Sequence, residues 1–552
     1  MAPLPRGMRE AMSRPDAQRW SAANEKEKDA FINKWKVGQP IGKNDMSPNE
    51  HIIPTKFVFA YKDHEGYLSD YKVRIVGRGD LMRRDEYEDT FSPVVRIKTQ
   101  RVLIALATVL GLHIKQFDCE NAYLQGKTRR RILIRLPEGW ELETKDGELT
   151  RIARADKALY GLKESGRDWY ITLRDDLIKD GYKQLETDPC VFTKMLGNDL
   201  GIISIYVDDG LQICKVLPKM EAEFKRFTER FRARDYRQSD YILSISTERV
   251  ENGMIIHQSA YAKQILEEFG LWSEQGGTRP TPMSTSYKYD QSLKRLDPKM
   301  NTRYRSVIMK LSYLAQQTRA DLMYAVNVLA QYQEKPTDNE WKAMVHILRY
   351  LKGTWDFGLY YRTQSNDDKL SLITNKDIFP SSRDPEGYAD ASFANEENRK
   401  SRSGYLFFMA GAIVTWCSKK QPVISVSSTE SELYSLSEST REGIWIRRLL
   451  KELQQNLPKA TMMNQDNRSS IAIAKNPIHH QRTKHIDVRM NQLRQYLEGK
   501  ELELQWCPTE DMIADILTKA LPATPHKRFT KLMGYISVSE LRKTFDINSK
   551  SK

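Results

Sequence analysis

The chain has 552 residues, too many for one compact core and enough for roughly three or four domains of ordinary size. Its 87 Lys and Arg against 73 Asp and Glu leave a formal charge of +14, which favours a polyanionic partner such as nucleic acid. Cys119, Cys190, Cys214, Cys417 and Cys507 are widely spaced with no Cys-x-x-Cys pair, and the longest apolar run, about Val102 to Leu112, is short of the roughly 20 residues of a membrane span. These features exclude a disulfide framework and a cysteine zinc module and predict an intracellular protein of cytoplasm or nucleus with no membrane partner.

In chain order, residues 1 to about 34 are polar and charged, a lead-in with a helical stretch at Trp20 to Phe31. Ile53 to Val76 alternates β-branched and aromatic residues around Asp63-His64-Glu65-Gly66, the pattern of a hairpin, which carries Lys56, Lys72, Arg74 and Arg78. The Ala- and Leu-rich run from Val102 predicts a buried helix ended by Gly111, and His113 to Phe117 a short strand ending at Asp118. Ile202 to Val207 leads into Asp208-Asp209-Gly210 and then Leu211 to Cys214, a strand, an acidic turn and a strand.

From about 215 to 370 helices are expected to dominate, with amphipathic patterns at Tyr261 to Phe269, Tyr304 to Thr318 and Trp341 to Lys352. Polar and turn-rich segments between Gln364 and Glu386 predict a domain boundary. Beyond it, strands at Gly387 to Asp390, Gly404 to Met409 and Ile413 to Cys417, a helix from about Ser428 to Leu453 and a strand ending at Gln465 form an α/β pattern.

Adjacent aspartates at a hairpin tip raise one another's pKa unless a cation lies nearby, and a divalent ion removes the conflict. Asp118, at the end of another strand, completes an all-oxygen set suited to Mg²⁺ rather than zinc. Such a site serves phosphoryl transfer, where a hydroxyl must be activated and a leaving group neutralised. An isolated Asp-Asp-Gly is otherwise an ordinary turn.

Its neighbours make it specific. Tyr206-Val207-Asp208-Asp209 resembles the Tyr-x-Asp-Asp box of reverse transcriptases. Tyr71-Lys72-Val73-Arg74-Ile75-Val76-Gly77-Arg78-Gly79, Thr90-Phe91-Ser92-Pro93-Val94-Val95, Phe117-Asp118-Cys119-Glu120-Asn121-Ala122-Tyr123-Leu124-Gln125-Gly126 and Ala158-Leu159-Tyr160-Gly161-Leu162-Lys163-Glu164-Ser165 resemble further motifs of Ty1/copia-type retrotransposon Pol polyproteins, in order. The resemblance implies that Asp118, Asp208 and Asp209 are catalytic carboxylates and metal ligands of a polymerase palm. It places Lys72 and Arg74 toward the incoming triphosphate, though either reads equally as a solvated strand residue. It sets Tyr123, otherwise a packed tyrosine, against the sugar, where its ring would exclude a 2′-hydroxyl.

The resemblance continues through Gly387-Tyr388-Ala389-Asp390-Ala391-Ser392, Ser427-Ser428-Thr429-Glu430-Ser431-Glu432-Leu433-Tyr434, Asp466-Asn467, Arg482-Thr483-Lys484-His485-Ile486-Asp487 and Ala514-Asp515-Ile516-Leu517-Thr518-Lys519. These resemble the family's ribonuclease H domain and imply four converging catalytic and metal-binding carboxylates: Asp390, Glu432 on the long helix, Asp466 after a strand, and Asp515 opening a late helix. Glu430 lies about 200° around the helix from Glu432. His479, His480 and His485 have no accompanying ligand pair and are not read as a metal site.

The implied fold class is α+β multidomain: a right-hand polymerase of fingers, palm and thumb, a helical connection, and an α/β ribonuclease H-like domain. The expected boundaries are a lead-in at 1–34, fingers and palm at 35–215, a thumb-like region at 216–290, a connection at 291–380, the ribonuclease H-like domain at 381–525 and a C-terminal tail at 526–552. Tyr304-Arg305, Thr318-Arg319-Ala320-Asp321 and Leu348-Arg349-Tyr350-Leu351-Lys352-Gly353-Thr354 resemble the family's connection, a basic helical region that would guide a hybrid duplex through phosphate contacts. Expected partners are RNA template, DNA primer, RNA/DNA hybrid and deoxynucleoside triphosphates, with two Mg²⁺, or Mn²⁺, per active site.

The chain departs from the family pattern at Gly210, which stands where a large apolar residue is usual and is expected to loosen the acidic turn, at Ser244, where glycine is usual, and over Arg489-Met490-Asn491-Gln492-Leu493. These departures leave two alternatives, an inactive nucleic-acid-binding relic and a nuclease-only fragment.

Overall fold

A computed structural model describes residues 3–64, 67–235, 241–242, 245–250, 252–273, 276–290, 292–363, 379–396, 398–476 and 487–545. The chain divides into two compact units, one of Met1–Val95, Gln116–Gln212 and Pro218–Asp235, the other of Arg96–Lys115, Ile213–Leu217 and Tyr236–Lys552.

In the first unit the hairpin forms as its alternation predicts, from strands Ile52–His64 and Tyr67–Gly77 with Tyr61 opposite Tyr71. The expected turn residues Glu65 and Gly66 lie outside the described residues. The lead-in is more ordered than a polar composition suggests. Its helix Ala17–Asp29 buries Trp20 completely, with ring centroids 4.5 Å from Tyr71 and 5.3 Å from Phe59, because three aromatic rings on the hairpin leave one apolar face to cover. The hairpin belongs to a five-stranded sheet ordered Gly38–Pro40, Ile152–Ala155, Leu133–Arg135, Ile52–His64, Tyr67–Gly77.

A second sheet carries the acidic hairpin. Its strand order is Ala233–Asp235, His113–Cys119, Asp209–Cys214, Asp199–Tyr206, Val191–Leu196, Lys183–Gln184. Phe117, Phe192, Ile203 and Ile205 bury one face of this sheet with Trp169, Leu173 and Leu177 of helix Ser165–Lys179 and Phe224 and Phe227 of helix Leu217–Arg230.

The predicted buried helix spans Ile97–Val109 and falls in the second unit. Its Arg101 is 3% exposed, donates to the carbonyls of Val414, Gln316 and Gln317 at 2.7–2.9 Å, and lies 3.7 Å from the Trp416 ring. Helices Ser259–Phe269, Pro298–Gln317, Met323–Ala330 and Asp338–Gly353 share one apolar core.

Helices dominate 215 to 370 as expected, with short strands among them that the sequence reading did not separate. A five-stranded sheet runs Tyr241–Ile242, Ile245–Val250, Gly253–His257, Phe357–Arg362, Tyr535–Ser537. Five-residue apolar runs such as Gly253 to His257 carry too little periodicity to separate strand from helix. The last strand also corrects the reading of 526–552 as a tail: Tyr535 pairs with Leu359, and helices Ala523–Leu532 and Val538–Phe545 flank it. A further sheet is ordered Ala412–Lys420, Arg402–Met409, Glu386–Ser392, Thr461–Gln465, Leu502–Trp506, with its last two pairings parallel. Helix Ser428–Glu452 packs on it.

Arg319, in the expected connection, is 1% exposed and forms a two-pronged ion pair with Asp321 at 2.9 and 2.7 Å. The Tyr350 hydroxyl donates to Asp321 at 2.8 Å, Arg319 also donates to Thr354, and the Ala320 amide donates to the Tyr535 hydroxyl. This buried node joins the helices to the last strand. Asp321→Ala leaves the guanidinium buried without its counter-charge and should cost about 3–5 kcal/mol; a urea melt followed by tryptophan fluorescence that matched the wild type would show that Arg319 does not depend on it.

Candidate active sites

The first acidic cluster is built by backbone constraints at a strand junction. Strand His113–Cys119 lies beside Asp209–Cys214, and the Cys119 amide donates to the Asp208 carbonyl at 2.7 Å, which sets Asp118 beside the Asp208-Asp209 turn. Val207 turns the chain with φ +57°, a left-handed conformation unusual for a β-branched residue and worth about 1–2 kcal/mol of strain. The Trp169 indole donates to the Val207 carbonyl at 2.6 Å and holds that turn.

Gly210 does not loosen the turn, contrary to expectation. A Cβ there would lie 2.2 Å from Cζ of Phe117, so the ring fills the volume a side chain would need. Phe117 is 1% exposed and packs on Phe224 and Phe227. Ser244, another departure, lies outside the described residues.

Burial, and then the charges of Asp208 and Asp118, push the Asp209 carboxyl up to about 6. The aromatic neighbours follow the same field: burial and then Asp208 raise Tyr123. Tyr123 and Tyr160 have centroids 4.9 Å apart, and Arg74 lies 5.0 Å from the Tyr160 ring. Arg74, Tyr160, Tyr123 and the aspartates are thus brought to one neighbourhood. Lys72 lies two residues before Arg74 on the same strand face, and both cations act on the half-buried Glu27, whose carboxyl burial raises.

Tyr160 is the residue that reading the sequence left without a role. Its signal was the following glycine: Gly161 has φ +88°, and a Cβ on it would meet the Gly77 carbonyl oxygen at 2.3 Å, so hairpin end and loop cross backbone to backbone. The Gly77 amide donates to the Tyr160 carbonyl at 2.7 Å across that crossing.

The second cluster lies in the second unit. Asp390 is on strand Glu386–Ser392, Glu432 in the second turn of helix Ser428–Glu452, and Asp466 directly after strand Thr461–Gln465. One carboxylate oxygen from each lies within 4.8 Å of the others. Gln465 donates to Glu432 at 3.3 Å, Thr509 donates to Asp466 at 2.9 Å, and the Thr518 hydroxyl donates to Asp390. Glu430 turns back to accept from the Val426 amide at 2.7 Å, so it caps the helix and Glu432 faces the cluster.

Asp515 departs from expectation in two ways. It lies in a short 3₁₀ turn, Ile513–Leu517, rather than at the start of a helix, because Leu521-Pro522 delays the next helix to Ala523. It also stands outside the group of three and pairs with Lys519 at 2.8 Å. Burial and then Asp390 push Asp515 up to about 8, and burial raises Asp390 and lifts Glu432 well above the carboxylate range. His479, His480 and His485 lie outside the described residues.

An all-oxygen donor set whose members resist ionisation when left together fits a hard divalent cation. Glutamine, threonine and lysine hold the carboxylates in place, and among the described residues the group of three is made of carboxylates.

Residues 44–284 match the family model described as reverse transcriptase (RNA-dependent DNA polymerase). The chain is 31% identical over 494 residues to the retrovirus-related Pol polyprotein from transposon RE2 of Arabidopsis thaliana, covering 89% of this chain and 32% of that one. It is 30% identical over 547 residues to that from transposon TNT 1-94 of Nicotiana tabacum, covering 96% and 39%. With the transposon TyH3 Gag-Pol polyprotein of Saccharomyces cerevisiae it shares 25% over 517 residues, covering 90% and 28%. A solved foamy viral protease-reverse transcriptase in complex with double-stranded DNA aligns at 12% identity with a TM-score of 0.43, over 88% of this chain and 69% of that one. Residues 44–284 are therefore a reverse transcriptase domain. The chain belongs to the Pol polyproteins of Ty1/copia-type retrotransposons, and it spans about a third of the length of the curated relatives it matches.

Two consequences are measurable. Gly210→Ala forces a methyl into the Phe117 ring and should cost about 1–3 kcal/mol, read from urea denaturation; an alanine variant as stable as wild type would show that the ring does not fix this position. Asp209 and Asp515 keep protons in the folded state that they lose when unfolded. Metal-free stability should therefore fall as pH rises from about 4 through 6 and 8. Magnesium should raise the melting temperature over EDTA much more at pH 8 than at pH 5, and an equal gap at both would contradict the assignment.

Proposed function

We propose that the chain is an RNA-directed DNA polymerase with hybrid-specific ribonuclease H activity, run from two separate carboxylate sites. The observation that supports it most is that Asp118, Asp208 and Asp209 meet beside Arg74 and Tyr123 in one unit, while Asp390, Glu432 and Asp466 meet in the other.

In this reading the first unit supplies fingers and palm. Asp118, Asp208 and Asp209 hold Mg²⁺, Lys72 and Arg74 face the triphosphate, and the Tyr123 ring closes against a 2′-hydroxyl. Mg²⁺, when bound, lowers the pKa of the primer hydroxyl and neutralises the departing pyrophosphate. Phe117, Trp169 and the Val207 turn aim the carboxylates. In the second site Asp390, Glu432, Asp466 and Asp515 would hold divalent ions, which when bound would supply the positive charge that positions the scissile phosphate of the RNA strand and activates the attacking water. RNA template, DNA primer and deoxynucleoside triphosphates are the substrates, and the cytoplasm or nucleus the place of action. The filled space at Gly210 favours a working polymerase over the relic reading, since the residue opposite it compensates for the change.

The Asp208→Asn/Asp209→Asn variant should lose Mg²⁺-dependent primer extension by roughly 100-fold or more and keep cleavage of a hybrid, and Asp390→Asn should do the reverse. Wild-type protein that binds hybrid and neither extends nor cleaves would leave only the relic.

A further inference from the structure

Within the second unit, helix Ala523–Leu532 and strand Tyr535–Ser537 close a cavity that neither acidic cluster uses. Tyr535 pairs with Leu359, the Tyr360 amide donates to the Gly534 carbonyl at 3.0 Å, and the His526 ring stands edge-on to Tyr350 with centroids 5.4 Å apart. These contacts set the late helix beside the end of helix Asp338–Gly353. From the other side, segment 278–280 folds onto that same end. A Cβ on Gly353 would lie 3.0 Å from the Thr278 Cβ, and the Arg279 amide donates to the Arg349 carbonyl at 3.3 Å. The enclosed space measures about 760 Å³, within the range that holds a small molecule.

The lining divides by depth. Tyr350, Tyr535 and Ile536 are buried and form an apolar floor, whereas Arg279, Lys527 and Lys531 stand at the rim. Lys527 and Lys531 are four residues apart on one helix, a spacing at which like charges destabilise it. Arg528, beside Lys527 in sequence, has an acidic partner in Asp511 and an acceptor in the Glu510 carbonyl. Lys527, Lys531 and Arg279 have no carboxylate within ion-pair distance among the described residues, and Glu540 is the one acidic residue on the lining. His526 shares the floor, and its Nε2 is buried with no hydrogen-bond partner among the described residues. A buried polar atom without a partner and three cations without a counter-charge each leave a need that one anionic ligand in this cavity would meet.

We infer that the cavity is a nucleotide site, separate from both carboxylate clusters, in which Arg279, Lys527 and Lys531 take the phosphates and the apolar floor takes the base. Inorganic phosphate would use the rim alone. A duplex would offer the rim its phosphates and leave the floor empty. A free nucleotide and the unpaired end of a strand share the required chemistry.

The test is calorimetric titration of the full chain with dATP in EDTA, which withholds metal from both acidic clusters. Lys527→Glu/Lys531→Glu should weaken binding by roughly tenfold or more, Arg279→Glu on the separate segment should act in the same direction, and Lys527→Arg/Lys531→Arg should keep the affinity. Photolabelling with 8-azido-dATP should mark peptides within 350–357 or 523–540, and unlabelled dATP should protect them. Unchanged binding by the charge-reversed chains, or label confined to other peptides, would overturn the proposal. So would adenosine or pyrophosphate binding as tightly as dATP, since rim or floor would then contribute nothing. If a 5′-phosphorylated oligothymidylate displaces dATP and weakens in the same variants, the ligand is a strand end; if it does not displace dATP, the ligand is a free nucleotide.

Discussion

Like charges drawn together out of water are the constraint around which this chain is organised. Asp209 beside Asp208 and Asp118, and Asp515 and Glu432 beside Asp390, are held where ionisation is costly and where a small hard cation would make it favourable. Left to local preference, these side chains would separate into solvent. The surrounding structure prevents this by backbone links at the first site and by side-chain hydrogen bonds at the second.

The two sites solve the same problem differently. At the first, rigidity comes from packing: Phe117 sits in the space beside Gly210, Trp169 grips the carbonyl of a strained Val207, and the Cys119 amide fixes the Asp208 carbonyl. At the second, the end of an inner strand and two short 3₁₀ turns bring polar supports, from Gln465, Thr509 and Thr518. The second cluster brings a carboxylate oxygen from each of three residues within 4.8 Å of the others, and Lys519 pairs with the neighbouring Asp515.

Much of this was legible in the sequence because it is local. The strand, acidic turn and strand around Asp208 is written in adjacent residues, as are the hairpin with Lys72 and Arg74 and the long helix bearing Glu432. What escaped was set by residues far apart. Gly210 reads as a defect until Phe117, on another strand, is seen filling its place. Arg319 reads as one more cation of a basic segment until Asp321, Tyr350 and Thr354 enclose it. The strand Tyr535–Ser537 is three residues long and gains its partner only from Phe357–Arg362. Asp515 matched its motif, yet its pairing with Lys519 depends on how tightly a short turn closes.

The central claim is that each unit gathers carboxylates to hold a divalent cation, and the most direct measurement is the anomalous scattering of Mn²⁺ in crystals of the full chain grown with a hybrid duplex. The account predicts difference peaks coordinated by Asp118, Asp208 and Asp209 in one unit and by Asp390, Glu432 and Asp466 in the other. Crystals with hybrid bound and no peak at either cluster would contradict it.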